Sequence, residues 1–136
     1  MKESLAELFD AAFSAKARAY APYSNHPVGV ALRTSGGAVF GGCNVETAHY
    51  KGTCAEAGAI AAMVMAGEHE IVELVVVGPG KHLCTPCGDC RQRVREFAKP
   101  KTKIHVFDVQ GTLMKSYTLE ELLPDSISPE DVKSVA

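Results

Sequence analysis

The sequence predicts an α/β protein, a three-layer α/β/α sandwich built around a mixed five-stranded sheet. Three observations carry this expectation. Helical apolar periodicity opens the chain, a glycine-linked pair of short apolar runs follows, and helix-like and strand-like segments alternate from there on. Strands joined by a tight turn pair antiparallel, whereas strands separated by a helix commonly lie parallel in one sheet, so the sheet is expected to be mixed. At 136 residues the chain is expected to form a single domain over 1–136, long enough to bury a core without disulfides.

Each element has its own signal. Leu5, Leu8, Phe9, Ala12 and Phe13 recur on one helical face, which predicts an amphipathic helix over 3–18 whose buried stripe ends near Lys16. Runs 28–34 and 38–43, separated by Ser35-Gly36-Gly37, predict a hairpin. Residues 54–66, rich in Ala and Met and closed by Gly67, predict a helix that is apolar nearly all round and hence buried, with Met63 and Met65 as core filler. The β-branched run 71–77, broken only by Glu73 and ended by Gly78-Pro79-Gly80, predicts a central strand covered on both faces. A second inner helix over 88–98, strands at 104–109 and 112–117, and short helices at 118–123 and 129–135 complete the chain.

Composition narrows the function classes. With 46% hydrophobic and 22% charged residues the chain is ordinary for a globular protein, and no apolar run approaches the roughly 18 residues of a membrane span. The 14 basic residues do not gather into a stripe that could follow a phosphate backbone, and the formal net charge is -2, so polynucleotide binding is not expected. The dense Lys99 to Lys103 stretch contains Pro100 and suits a solvated turn. Met1 to Lys16 lacks the basic start and apolar block of a secretory signal, which predicts a cytoplasmic protein. Five cysteines in such a chain point to metal or catalytic chemistry ahead of disulfides.

The chemistry concentrates in two short motifs, Cys54-Ala-Glu56 and Cys87-Gly-Asp-Cys90. A lone CxxC is a weak signal, but here both motifs fall at expected helix starts, where the helix dipole favours the thiolate that zinc binds. Cys54, Cys87 and Cys90 would give three protein ligands and leave one tetrahedral position for water, the pattern of a catalytic zinc site. Residues two apart on a helix diverge, so Cys54 is expected at the irregular helix start, with Glu56 one step into the first turn facing the same cavity as a proton carrier.

Thr53-Cys-Ala-Glu56 with Thr85-Pro-Cys-Gly-Asp-Cys-Arg-Gln92 resembles the zinc signature of cytidine deaminases. The resemblance extends to Tyr23-Ser-Asn-His-Pro-Val-Gly-Val-Ala31, Gly42-Cys-Asn-Val-Glu46 and Glu121-Leu-Leu-Pro-Asp-Ser-Ile-Ser-Pro129, so it spans nearly the whole chain. It implies zinc-dependent hydrolytic deamination of cytidine or deoxycytidine, with Glu56 catalytic. It implies that Asn44 and Glu46 hold the ribose, that the Ala55 amide and Thr85 carbonyl orient the ring, that Tyr50 lies nearby, and that the protein is a homotetramer with shared sites.

Four positions depart from the family pattern. Ala57 replaces an Arg that usually offsets three thiolates, leaving Arg91 as the candidate counter-charge. His26 stands where a Phe usually packs near the base, Ile127 where another aromatic closes the pocket from a neighbouring subunit, and Cys84 is an additional thiol. These departures keep alternatives open: a deaminase of another small aminated heterocycle, or a non-catalytic zinc module with Cys84 as fourth ligand. Cys84, Cys87 and Cys90 also form CxxCxxC, but the further Cys-Pro of an iron–sulfur run is missing, and a redox Cys87/Cys90 pair would leave Cys54-Ala-Glu56 unexplained. Cys43 is expected to be a small buried residue and not a ligand, and His49, His69, His82 and His105 have no ligand-like spacing with the cysteines.

Overall fold

The structure is a computed structural model and describes residues 2–134. Its elements run α1 (Glu3–Lys16), β1 (Gly29–Thr34), β2 (Val39–Cys43), α2 (Ala55–Met65), β3 (Ile71–Val77), α3 (Gly88–Phe97), β4 (Lys103–Phe107), β5 (Leu113–Thr118), α4 (Leu119–Leu122) and α5 (Pro129–Lys133). The strands form one sheet in the order β2-β1-β3-β4-β5, with β3 and β4 parallel and every other pair antiparallel. This is the mixed five-stranded sheet that the hairpin signal and the helix between β3 and β4 require. Element ends differ from the sequence expectation by one or two residues, and the expected helix over 129–135 reaches Val135, outside the described residues.

Period-two alternation divides the core between the two faces of the sheet. Val30, Leu32, Leu74, Val76 and Ile104 pack against Ala59, Ile60 and Met63 of α2 and Val94 of α3. Ala31, Val75, Val77 and Phe107 point the other way, onto Leu8 and Ala12 of α1. Burying each such large side chain contributes about 1.5–3 kcal/mol. Among the described residues, no helix is long and apolar enough to cross a membrane.

One expectation is corrected here. α2 is not buried all round: Val64 is 41% and Met65 89% exposed, so only Met63 of the two methionines fills the core. The helix belongs to an outer layer, meets the sheet on one side and packs beside α3, and leaves Val64 and Met65 exposed among the described residues.

The register explains where a site can form. Gly29, the first residue of β1, lies opposite Cys43 at the end of β2 and Val77 at the end of β3. The segments 20–28, 44–54 and 78–87 therefore leave the sheet at one end, where α2 and α3 also begin. Isolated bridges from Val45 to Tyr20 and Thr53 tie the first two segments together. The start of α2 lies directly on β2, since a Cβ added at Gly42 would sit 2.4 Å from the Ala55 oxygen and the Ala59 nitrogen.

Candidate active site

Cys54 and Cys87 occupy the N-cap positions of α2 and α3, both with extended backbone, and Cys90 lies one turn into α3, fully buried. The three sulfurs lie within 4.8 Å of one another, and Cys54 and Cys87 are 3.7 Å apart. Zinc–sulfur bonds of about 2.3 Å in a tetrahedron imply a sulfur–sulfur edge of about 3.8 Å. All five cysteines are free thiols. Burial pushes the Cys54 and Cys90 thiols above their usual range, and the Glu56 charge adds to the rise at both. A cation among the three sulfurs would favour their thiolate forms and offset that cost. The donor set thus fits zinc.

Glu56 is the second residue of α2 and only 4% exposed. Burial raises its carboxyl above the usual carboxylate range. With Cys54, Cys87, Ala55, Thr85, Asn44 and His26 it lines a cavity of about 210 Å³. A wider groove of about 470 Å³ adjoins it, sharing Asn44 and Cys54 and adding Glu46, Tyr23 and Tyr50. The 84%-exposed Tyr50 has a left-handed backbone with φ 57° and places its ring 6.1 Å from that of Tyr23.

Asn44 and Glu46 are fasteners for the 23–28 segment. The Asn44 side chain accepts from the Val28 N–H and donates to the His26 carbonyl, each at 2.9 Å. The Glu46 carboxylate accepts from the Tyr23 and Ser24 backbone N–H groups at 3.0 and 3.1 Å and from the Ser24 hydroxyl. These bonds, the Ser24 hydroxyl foremost, hold the Glu46 carboxyl below its usual range. Arg91 fastens the opposite wall, donating to the Pro86 carbonyl at 2.7 Å, the Leu122 carbonyl at 2.8 Å and the Thr85 hydroxyl at 3.2 Å. Its charge is thereby delivered to the segment that carries Cys87. Ala57 opens onto a surface hollow shared with Arg93 and Phe97, and Ile127 is 55% exposed, its carbonyl accepting from the Gln92 amide at 3.0 Å.

Sequence spacing missed His82. Its Nε2 lies 3.1 Å from His26 Nε2, and these two atoms and Cys84 Sγ lie within 4.8 Å of one another. Cys84 therefore groups with the histidines and not with the other three thiols, so it does not close their coordination sphere. Burial, then the Glu56 charge, raise its thiol to about 11. His82-Leu-Cys84 is the local part of this cluster, but nothing in the sequence links it to His26, 56 residues away. The buried His105 is satisfied elsewhere, between Glu73 at 2.6 Å and Ser116 at 2.7 Å on the α1 side of the sheet.

Comparison with known proteins agrees with this geometry. Residues 2–106 match the family described as cytidine and deoxycytidylate deaminase zinc-binding region. A cytidine deaminase of Halalkalibacterium halodurans is 37% identical over 92% of this chain and 95% of its own length. The crystal structure of a cytidine deaminase from Burkholderia pseudomallei superposes with TM-score 0.84 at 39% identity, covering 93% of this chain and all of the other. That of Mycobacterium tuberculosis superposes with TM-score 0.79 at 31% identity, covering 93% and 98%. With three thiols that could hold a metal grouped at the starts of two helices and this likeness along nearly its whole length, the chain belongs to the zinc-binding family of cytidine and deoxycytidylate deaminases.

Proposed function

We propose that the chain hydrolyses cytidine and deoxycytidine to uridine and deoxyuridine with release of ammonia, using zinc held by Cys54, Cys87 and Cys90. The observation that supports this most is the buried Glu56 carboxyl on the wall of the cavity that also receives Cys54 and Cys87. When bound, zinc supplies an activated water as nucleophile near neutral pH. Glu56 would accept one proton of that water as its oxygen adds to C4 of the base and pass it to ring N3; it would then take the second proton from the new C4 hydroxyl and deliver it to the amino group, so that the C4–N bond breaks, C4=O forms and ammonia leaves. Its burial suits this role, since a carboxyl shielded from solvent readily holds a proton between transfers. The Ala55 amide and Thr85 carbonyl orient the pyrimidine edge from opposite walls, His26 lies against the base, and Asn44 and Glu46 take the ribose hydroxyls with Tyr50 beside them. Asn44 and Glu46 would do so while holding the 23–28 segment in place.

The same reading carries a homotetramer, to which the exposed Ile127, Val64 and Met65 would contribute apolar contact surface. It also carries a cytoplasmic location, where five free thiols stay reduced. A second reading, a deaminase of another small aminated heterocycle, is favoured by one observation: His26 is engaged with His82 and so presents a different surface from the usual phenylalanine. The test is ammonia release by zinc-loaded protein from cytidine, deoxycytidine, amino-pterins and aminated antibiotics. Turnover of the cytosine nucleosides is expected. Turnover only of another compound would establish the second reading, and failure on the whole panel would overturn both.

A further inference from the structure

We propose that His26, His82 and Cys84 form a second site for a zinc-like divalent transition cation, at the wall of the nucleoside cavity, and that an ion bound there inhibits the enzyme. The geometry carries the argument. Two imidazole nitrogens 3.1 Å apart and a thiol sulfur within 4.8 Å of both supply a converging His₂Cys donor set. Tetrahedral zinc with Zn–N bonds of about 2.0–2.1 Å places two imidazole nitrogens about 3.3 Å apart, so little rearrangement is required. Nitrogen and sulfur donors together select zinc, cobalt or copper over magnesium or calcium.

The cluster is also supported from behind. The His26 carbonyl is held by the Asn44 amide, and the His26 N–H donates to the Ser24 hydroxyl at 3.1 Å, so one ligand is fixed in place. Cys84 packs against Gly78 so closely that an added Cβ there would lie 2.7 Å from its sulfur. His82 is exposed, which leaves a path from solvent. A cation would take up the Nε2 lone pairs of both rings and displace the Cys84 thiol proton to solvent.

Inhibition follows from position. His26 and Cys84 line the same cavity as Glu56, Asn44 and Thr85, so an ion between them, with water in its fourth position, occupies space the base needs. Zinc beyond one equivalent per chain should therefore raise the apparent KM for nucleoside. This inhibitory effect rests on the proposed deaminase reading, whereas metal binding itself does not.

The experiment starts from protein loaded with one zinc per chain, kept reduced and titrated with cobalt(II). Elemental analysis should find one cobalt bound per chain with zinc retained, together with a tetrahedral cobalt spectrum and thiolate charge transfer. His82→Ala should weaken cobalt binding more than about tenfold, and Cys84→Ser should remove the charge-transfer band, both with zinc retained. Excess zinc should lose its effect on KM in His82→Ala, each protein being compared with its own activity before addition. Cobalt uptake that only replaces zinc, or a second ion bound equally well by both variants, overturns the proposal. Because the metal counts need no substrate, failure of the deaminase assignment would leave this result readable.

Discussion

The two candidate ligand clusters at the same end of the sheet are held by different means. Cys54 and Cys87 sit immediately before α2 and α3, and Cys90 is fully buried within α3, so the helices and the core beneath them fix all three sulfurs. His26, His82 and Cys84 sit on the 20–28 and 78–87 segments, fastened by a few hydrogen bonds and one close packing contact. The first cluster is therefore coupled to folding of the α2/α3 layer. The second is coupled to the state of two connections, and ligands on connections can be lost without the fold. Cys54 and Cys87 of the first and His26 and Cys84 of the second line the same 210 Å³ cavity, which also receives Glu56.

That contrast is broken most severely by Cys87→Ala. Removing one helix-start sulfur should release zinc and reduce turnover to background. It should also lower the melting temperature, since metal binding free energy is part of folding free energy. Zinc analysis, turnover and thermal denaturation on one preparation check this. Full zinc content with ordinary turnover would exclude Cys87 as a ligand. Glu56→Gln should act more narrowly, because it keeps the size of the side chain and all three sulfurs while removing the proton carrier. Zinc should remain and kcat should fall roughly 10²-fold or more with little change in KM. If kcat stays near that of the parent protein, another group moves the proton.

The same contrast governs what could be read from the sequence. The grouping of Cys54, Cys87 and Cys90, with Glu56 on the same cavity, was legible because these residues lie in short motifs whose geometry a helix start dictates. The alternation of helices and strands gave the sheet and its mixed pairing for the same local reason. The outer face of α2 was misread, because apolar composition shows that Val64 and Met65 need cover but not whether one chain supplies it. His82 was invisible, as only the packing of two remote connections brings it to His26. Asn44 and Glu46 were legible as site residues only through resemblance, and their hold on the 23–28 segment emerged from the hydrogen bonds.

The mildest change probes the connection-held cluster from beneath. Gly78 follows β3, and a Cβ there would lie 2.4 Å from the Cys84 Cβ as well as 2.7 Å from its sulfur. Gly78→Ala must therefore push Cys84 outward or bend its own backbone, an overpacking effect of about 1–3 kcal/mol. The clash falls on a side chain of the 78–87 segment and not on a helix, so the segment can yield while α3 keeps Cys87 and Cys90 in place. Zinc should stay at one per chain and the melting temperature should drop modestly. The second-ion affinity for cobalt(II) should fall at least several-fold, because Cys84 no longer meets the two imidazoles. If zinc is lost along with the second ion, the two clusters are one mechanical unit and the contrast drawn here is wrong. If second-ion affinity is unchanged, the position of the Cys84 sulfur does not matter and His26 with His82 alone must account for the binding.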